Sequence, residues 1–422
     1  MMPFASKLDA PLDPAISLDE VAVSHELLKQ NLAEFFSNLD GEGNSDTKPD
    51  VFPLVYSDIA LPGFRTGGAL WGDVTMHDRH YYIPNDEAEI FGRHRAYLQQ
   101  LFVNPPTVYE FGPGDVLTLA RKTMQIVDAV DARRYFAVDV NADFATKSAR
   151  HVSISKPDIS TDFIYGDYTK PHKLDTDGTT SLGLLLGCSA NQHRITNAGR
   201  EGEVTFKDLL KNFGEMLDYN ALLIITTDAN TSAVNANDCY SGAQVKAFLS
   251  NWLPAVAAHL SYDSDPENNC VLVNGKPLTE SKISPVLANS RYEPFPMRSG
   301  GRTIHSLVVL QPIEIRIDGK SYHIMPGKQL DLGSSEKWAM SSIKKEINRT
   351  GDWTVVKTLS TGRSVQAIVL AGKDTPPEQI ALARRQVAEW STIERTNGGS
   401  VASRNTATLQ RRQSLVAGAQ AT

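Results

Sequence analysis

The sequence is poor in several features that define common classes of protein. Its 422 residues include three cysteines, Cys188, Cys239 and Cys270, which lie far apart and form no CxxC pair. This usage disfavours a zinc site and indicates reduced thiols, as in a cytoplasmic protein. No apolar run approaches the roughly 18 residues that a membrane helix needs. The N-terminus has no basic segment followed by an apolar stretch, so we also expect no secretory signal.

An excess of charge of one sign is also missing. The 42 basic and 49 acidic residues give a net charge of -7, which disfavours a protein that binds nucleic acid through a global basic field. Hydrophobic residues make up 41% of the chain and aromatic residues 8%, enough for a sizeable core. We therefore expect a cytoplasmic α/β enzyme that acts on a small molecule, with neither nucleic acid nor a membrane as its partner.

Strands and helices alternate through the middle of the chain. The predicted strands are Thr107–Phe111, Arg134–Val140, Thr161–Tyr165, Ser181–Gly187 and Ala221–Thr227, and helical patterns lie between them. Such alternation implies right-handed βαβ crossovers and a mostly parallel sheet with helices on both faces. We assign residues 105–260 to this core.

The flanking segments follow other patterns. They predict helices at about 17–39, 87–101 and 334–348, of which the last begins with Ser334 or Ser335 as its cap. They also predict a long strand or bent pair at 302–317 and a strand at 321–325 that pairs back on it. A closing hairpin of strands 353–360 and 364–370 follows. We assign residues 1–104 to an N-terminal helical segment that contributes to a substrate lobe. Residues 261–372 are assigned to a smaller α+β lobe for substrate recognition. Residues 373–422 are expected to form a helix over 376–394 and then a disordered tail.

The loop after the first predicted strand carries two glycines. In Glu110-Phe111-Gly112-Pro113-Gly114 they let the backbone turn tightly and approach a ligand closely. A dinucleotide-binding loop would have a third glycine three positions after Gly114, where this chain has Leu117, so NAD and FAD are disfavoured. A loop of this kind with an acidic residue before it suits a ligand without phosphates, such as S-adenosylmethionine (SAM). An ordinary strand-to-helix turn is the alternative.

Polar residues follow the next three predicted strands. Asp139 at the tip of the second strand can accept hydrogen bonds from both hydroxyls of a ribose. After the third strand, Asp167 can accept from an adenine amino group while the ring of Tyr168 stacks. Asn191, after the fourth strand, can reach a substrate, because ligands bind at the carboxyl ends of parallel strands. A helix cap at Asp139 and a polar turn at Gly166–Tyr168 are the alternatives, and the sequence order of the three tips favours a cofactor site.

In these motifs the chain resembles a known family, the histidine-specific methyltransferases of ergothioneine biosynthesis and their relatives that N-methylate prenylated tryptophan. The resemblance runs from about Tyr81 to Gly372. It rests on the stretches Tyr81–Ile90, Glu110–Gly114, Val138–Val140, Gly166–Tyr168, Leu186–Asn191 and Ser334–Trp338, and on Asp228 and Tyr240 at the family's interval.

The resemblance implies a Rossmann-like SAM-methyltransferase sheet with a second, smaller α+β lobe, SAM as the cofactor and no metal. It implies a cofactor site made of Glu110, Gly112, Gly114, Thr118, Asp139, Asp167 and Tyr168. It also implies a substrate site made of Tyr81, Tyr82, Asn191, Tyr240, His305 and Ser306, in which Asn191 and Tyr240 hold the α-carboxylate of the substrate.

The chain departs from the family pattern at three places, of which the second and third concern the acceptor of the methyl group. Thr118 stands where the family has a lysine, no tyrosine is present near Phe64, and His305 stands where a glutamate would hold an imidazole ring. The sequence therefore predicts N-methylation of an amino acid other than histidine, or of an amine derived from one, in secondary metabolism. An oxygen or guanidinium acceptor, or a non-catalytic family member that binds the cofactor, are the alternatives.

Overall fold

A computed structural model describes residues 29–39, 52–56, 59–170, 173–174, 176, 178–193, 204–230, 238–261, 265–278, 290–296 and 302–385. Its strands are β1 (Thr107–Phe111), β2 (Arg134–Asp139), β3 (Ser160–Tyr165), β4 (Ser181–Leu185), β5 (Ala221–Asp228), β6 (Cys270–Val273), β7 (Lys276–Pro277), β8 (Ser290–Pro296), β9 (Arg302–Val309), β10 (Ile313–Ile317), β11 (Lys320–Ile324), β12 (Gln329–Glu336), β13 (Trp353–Ser360) and β14 (Val365–Gly372).

The helices lie on both faces of the central sheet and at its ends. They are α1 (29–39), α2 (Gly67–His77), α3 (Ile83–Arg93), α4 (Arg95–Leu98), α5 (Val116–Arg121), α6 (Thr123–Ala129), α7 (Ala142–Ser155), α8 (Phe206–Met216), α9 (Ala243–Ser250), α10 (Trp252–Ser261), α11 (Met340–Thr350) and α12 (Pro377–Arg384), with 3-10 turns at Phe52–Tyr56 and Ser189–Gln192. Within the described part of the chain, no helix is both long and apolar enough to cross a membrane.

The central sheet has seven strands in the order β13-β14-β5-β4-β1-β2-β3. Strands β1 to β5 are parallel, which confirms the predicted α/β core and all five of its strands. All residues of β1, β4 and β5 are buried, because helices cover both faces of the sheet.

The closing hairpin is confirmed, but its assignment to the second lobe was wrong. Strand β14 pairs antiparallel with β5 from Val365 opposite Asp228 to Ala371 opposite Leu222, so the hairpin extends the central sheet. Helix α11 joins it there, since Ile343 and Ile347 share a buried cluster with residues of α8 and β13. The core therefore consists of residues 105–261 together with 340–372.

The second lobe contains two antiparallel sheets, β11-β10-β6-β7 and β12-β9-β8. The stretch 302–317, predicted as one long strand or a bent pair, separates at Pro312 into β9 and β10, which lie in different sheets. The hairpin of β10 with β11 is confirmed. The N-terminal helix α1 packs on this lobe and on the core, because the ring of Phe36 lies 6.0 Å from Trp252 and 5.7 Å from Tyr322.

The predicted helix start at Ser334 or Ser335 was wrong. Both serines belong to β12, and helix α11 begins at Met340. Serine serves equally as a helix cap and as a polar residue in a strand, and here a strand partner wins, because Ser335 lies opposite Thr303 of β9. The first part of the predicted helix over 376–394 is α12, whereas residues 386–394 and all of the tail after them lie outside the described residues.

Candidate functional site

The glycine-rich loop opens the carboxyl edge of the sheet. Gly112 and Gly114 have φ angles of +69° and +70°, a conformation that side chains other than glycine rarely adopt. A Cβ atom on Gly112 would lie 3.3 Å from the ring of Tyr168, and one on Gly114 would lie 3.6 Å from the indole nitrogen of Trp71. Each glycine therefore lies close to an aromatic ring, Gly112 to that of Tyr168 and Gly114 to that of Trp71.

Asp139 lies at the tip of β2 beside this loop. It is 6% exposed, and its Oδ1 accepts a hydrogen bond of 2.8 Å from the backbone N–H of Asn141. Burial raises the pKa of its carboxyl group to about 7, although hydrogen bonds from the backbone of Asn141 and Gly114 act in the opposite direction. Within the described residues the carboxylate forms no ion pair, so neutral hydroxyl donors such as a ribose diol suit it.

Two predicted cofactor residues have other surroundings. Glu110 is fully buried, and its two oxygens accept hydrogen bonds of 2.6 Å from the hydroxyls of Thr123 and Tyr135. Its contacts thus fix the end of β1 against α6 and β2. The hydroxyl of Thr118 is buried and has no hydrogen-bond partner among the described residues.

Position 118 holds no lysine, but a buried lysine lies one helical turn later, at position 122. Lys122 is buried, and its Nζ lies 3.3 Å from Oε2 of the buried Glu87. The other carboxylate oxygen of Glu87 accepts hydrogen bonds from the backbone N–H of Gly187 and the hydroxyl of Thr226. This ion pair therefore ties α3 and α5 to the loop after β4. Sequence reasoning missed it, because Glu87 and Lys122 are distant along the chain.

The turn after β3 brings Asp167 and Tyr168 to the glycine loop, where Tyr168 lies beside Gly112. Oδ1 of Asp167 accepts hydrogen bonds from the backbone N–H and the hydroxyl of Thr169, at 2.9 Å and 2.6 Å. The ring of Tyr168 lies 6.4 Å from Phe111 and 6.2 Å from Phe213. The ring of Tyr168 thus lies next to Gly112, and its stacking on a base stays a prediction.

A cavity lies on the side of the glycine loop where Trp71 approaches Gly114. It is lined by Tyr56, Trp71, Tyr81, Ile83, Gly187, Cys188, Gln192, Tyr240, Val245, Phe248, Leu249, His305 and Ser335. None of these side chains carries a carboxylate, an ammonium or a guanidinium group.

Aromatic rings form most of the cavity wall. Trp71 contacts Tyr56, Tyr81 and Phe248 at centroid distances of 5.4, 5.3 and 5.1 Å, and Tyr240 continues the wall 6.4 Å from Tyr81. Tyr56, Trp71 and Phe248 were not predicted from the sequence. The glycine at position 67 is the one feature of the sequence that is related to this packing. A Cβ atom there would lie 1.9 Å from the carbonyl oxygen of Val55, so glycine allows α2 to pack closely on the turn before it.

The double tyrosine divides its two side chains between two environments. Tyr81 lines the cavity. Tyr82 turns away from it and donates a hydrogen bond of 2.5 Å to Oδ2 of Asp228, the last residue of β5. Tyr82 is thus a structural neighbour of the cavity rather than part of its wall.

Behind Tyr240 lies a buried ion pair. Lys337 and Asp228 have fully buried side chains, and Nζ of Lys337 lies 2.6 Å from Oδ2 of Asp228. The same Nζ donates a hydrogen bond of 3.1 Å to the hydroxyl oxygen of Tyr240. Burial raises the pKa of Tyr240 to about 12, while the ammonium of Lys337 acts to lower it.

Asn191 is engaged by the backbone. Its Oδ1 accepts a hydrogen bond of 2.9 Å from the N–H of Asp228, and its Nδ2 donates one of 2.6 Å to the carbonyl oxygen of Glu336. Asn191 does not line the cavity. It fixes the end of β5 against the end of β12, and so places Asp228 and Lys337.

His305 lies in the cavity wall as a neutral ring. It is 2% exposed, and both of its nitrogens are hydrogen-bonded at 2.8 Å, Nδ1 with the hydroxyl of Tyr292 and Nε2 with Oγ of Ser335. Burial, with a smaller effect of the Lys337 ammonium, lowers the pKa of His305 to about 3. At neutral pH His305 is therefore an uncharged ring and does not repel a cationic ligand.

Ser306 does not join the cavity, contrary to its prediction as a substrate residue. Neighbouring residues of a strand point to opposite faces, and the hydroxyl of Ser306 donates a hydrogen bond of 2.7 Å to Oδ1 of Asp331 on the other face of β9. Glu314 also lies outside the cavity lining, and it contacts Arg316 and Ser321 on β10 and β11.

The carboxyl edge of the sheet, with glycines after β1 and a buried carboxylate at the tip of β2, is typical of SAM-dependent methyltransferases. Residues 55–276, more than half of the chain, match the model of the family described as histidine-specific methyltransferase, SAM-dependent. The chain belongs to this family, and its cofactor is SAM. The residues present fit the cofactor, because Gly112 and Gly114 have backbone conformations that favour glycine and Asp139 has no charged partner within the described part of the chain.

Distant structural neighbours are also methyltransferases. A sugar N-methyltransferase from Streptoalloteichus is 9% identical, with 67% of this chain and 87% of that chain covered and a TM-score of 0.32. An amino pentose methyltransferase from Micromonospora echinaspora, involved in calicheamicin biosynthesis, is 9% identical, with 67% and 91% covered and a TM-score of 0.30. The plantazolicin methyltransferase, solved with S-adenosylhomocysteine (SAH), is 13% identical, with 58% and 82% covered and a TM-score of 0.30. No curated protein matches the chain significantly.

Proposed function

We propose that the protein transfers a methyl group from SAM to the nitrogen of an amino acid, or of an amine derived from one, in secondary metabolism. The observation that carries this proposal is the aromatic cavity beside the glycine loop. SAM supplies a methyl group already activated by its sulfonium charge, so the chain has to align the acceptor and exclude water. As the nitrogen attacks, it gains positive charge, and aromatic rings such as those that line the cavity stabilise such a charge.

The cavity wall supplies no base for the acceptor. His305, with a pKa near 3, and Tyr240, with a pKa near 12, neither take nor give a proton at neutral pH. An ammonium has no lone pair, so the acceptor must react as the free amine. The apolar wall helps, because burial favours the neutral form of an amine.

For the cofactor, we propose that Asp139 accepts the ribose hydroxyls and that Gly112 and Gly114 admit the methionine part. In the same proposal, Asp167 and Tyr168 contact the adenine. Glu110 contributes indirectly, by fixing the end of β1 through Thr123 and Tyr135.

For the acceptor, we propose that Tyr240 binds the α-carboxylate where one is present, as the family resemblance implies. A phenol hydroxyl is a neutral donor that suits an anion without cancelling its charge. Asn191, which the same resemblance places on the carboxylate, acts in this proposal by positioning Asp228 and Lys337 behind Tyr240.

Histidine is not the preferred acceptor in this proposal. His305 has both nitrogens engaged by Tyr292 and Ser335, so it offers no free acceptor to a second imidazole. A buried polar ring without partners is strongly disfavoured, since each unpaired group costs about 1–3 kcal/mol.

The test is an acceptor screen with methyl-labelled SAM. The panel contains the twenty amino acids and their decarboxylated amines, and mass spectrometry assigns the methyl group to nitrogen or oxygen. We expect N-methylation of an amino acid or amine other than histidine, and His305→Glu should raise turnover of histidine. Efficient methylation of histidine by the unmodified protein, or a product methylated on oxygen, contradicts the proposal.

A further inference from the structure

The buried pair of Lys337 and Asp228 has no evident structural need. Two fully buried charges are costly to desolvate, and apolar residues of similar size often serve stability as well or better. Here the pair lies directly behind the cavity, with Lys337 between Asp228 and the hydroxyl of Tyr240. Its position points to a role in setting the polarity of the wall.

An ammonium group has three N–H donors and no acceptor. The hydrogen bond of 3.1 Å between Nζ of Lys337 and the hydroxyl of Tyr240 can therefore run in one direction only, from lysine to phenol oxygen. The proton of the phenol must then point away from Lys337. Tyr240 itself lines the cavity, on the side away from Lys337.

The surroundings hold Lys337 in this orientation. Oδ2 of Asp228 accepts from both Lys337 and Tyr82, and Asn191 holds the backbone of Asp228. Nζ of Lys337 also lies 5.0 Å from the ring centroid of Tyr240. The ammonium is thus fixed by three chain segments, the double tyrosine, the end of β5 and the end of β12.

We propose that Lys337 is a positioning residue for acceptor binding, which fixes the hydroxyl of Tyr240 as a hydrogen-bond donor toward the cavity. The inference rests on the proposed function, in which Tyr240 contacts the acceptor. A donor fixed in advance needs no reorientation when the acceptor binds, so the loss of Lys337 weakens binding without changing the transferred group.

The experiment compares the wild type, Tyr240→Phe, the double variant Lys337→Met with Asp228→Asn, and the triple variant. Replacing both charged residues avoids an unpaired buried charge, and the asparagine still accepts from Tyr82. Calorimetry with SAH checks that each variant keeps its fold and cofactor site. Steady-state kinetics use the panel member that the wild type methylates fastest.

We expect the double variant to raise KM roughly tenfold, the equivalent of one hydrogen bond to an ionic partner, with kcat nearly unchanged. In the Tyr240→Phe background the same replacement should add little, because the two residues act through one contact. Lys373→Met is the matched control, since Lys373 also contacts a tyrosine ring, at 3.9 Å from Tyr219, and a carboxylate, but at the surface. It should leave KM unchanged.

A second readout needs no acceptor. With tyrosine labelled at 13Cζ, the resonance of Tyr240, identified by its loss in Tyr240→Phe, should move in the double variant and stay in place in Lys373→Met. An unmoved resonance, or an undiminished KM effect in the Tyr240→Phe background, overturns the inference. If the wild type methylates no panel member, the proposed function fails, while the resonance still decides the role of Lys337.

Discussion

The burial of Asp139 makes cofactor binding sensitive to pH. Its pKa of about 7 means that near neutral pH the unliganded protein holds a mixture of protonated and ionised carboxyl groups. Only the ionised form can accept from both hydroxyls of a ribose. Affinity for SAH should therefore be complete above pH 8 and fall as the pH drops through 7, by about tenfold per unit below the pKa.

Two variants test whether Asp139 causes the pH dependence of SAH affinity. Asp139→Asn keeps the size of the side chain but cannot ionise, so its affinity for SAH should be lower than that of the wild type at pH 8, by about 1.5–3 kcal/mol, and nearly constant between pH 5 and 8. Asp143→Asn, on the first turn of α7 and paired at the surface with Lys147, should behave as the wild type does. Isothermal titration calorimetry with SAH over this pH range gives all three curves.

Two results would contradict the role of Asp139 in ribose binding. If wild-type affinity does not depend on pH, Asp139 is either ionised throughout or not in contact with the ribose. If the pH dependence survives in Asp139→Asn, another group is responsible for it.

Further predictions concern stability. His305 has its folded-state pKa depressed to about 3, so its contribution to the free energy of unfolding is present above about pH 6.5 and lost as the pH falls toward 3; chemical denaturation of the wild type and His305→Gln should show curves that converge in acid. Lys122→Met leaves the buried Glu87 unpaired and should lower the free energy of unfolding by about 3–5 kcal/mol, measured by urea denaturation; an effect below 1 kcal/mol contradicts the ion pair. Gly242→Ala places a Cβ atom 1.8 Å from Oδ2 of Asp78 and should lower Tm in a thermal scan, since overpacking costs about 1–3 kcal/mol; an unchanged Tm contradicts that packing.

The core could be predicted from the sequence because its signals are local. A strand buried on both faces appears as a short apolar run, and Ala221–Thr227 or Ser181–Gly187 can hardly form anything else once helices flank them. Asp139 was identified for the same reason, since the end of a parallel strand already places it at the ligand-binding edge. For these features, position along the chain determines position in space.

The rest of the site depends on contacts between distant segments. The hairpin of β13 and β14 was recognised, but its own pattern does not say which sheet it joins, and the pairing with β5 settles that. Tyr56 and Trp71 form part of the cavity because the segment before α3 packs over the glycine loop, and nothing in their own sequence shows this. The sequence around Ser335 fits a helix cap as well as a strand, and only its pairing opposite Thr303 decides between them.

The place of β14 beside β5 has a consequence for the order in which the protein is completed. The chain leaves the central sheet after β5, builds the sheets of the second lobe, and only then returns to add α11, β13 and β14. The lobe is therefore an insertion within a discontinuous domain, held at both ends by the sheet that it serves. A fragment that stops at residue 276, where the family match ends, would lack the strand that covers β5 from Leu222 to Asp228. Its exposed edge would be open to pairing with other chains, so the catalytic core cannot be isolated by removing the second lobe and everything after it.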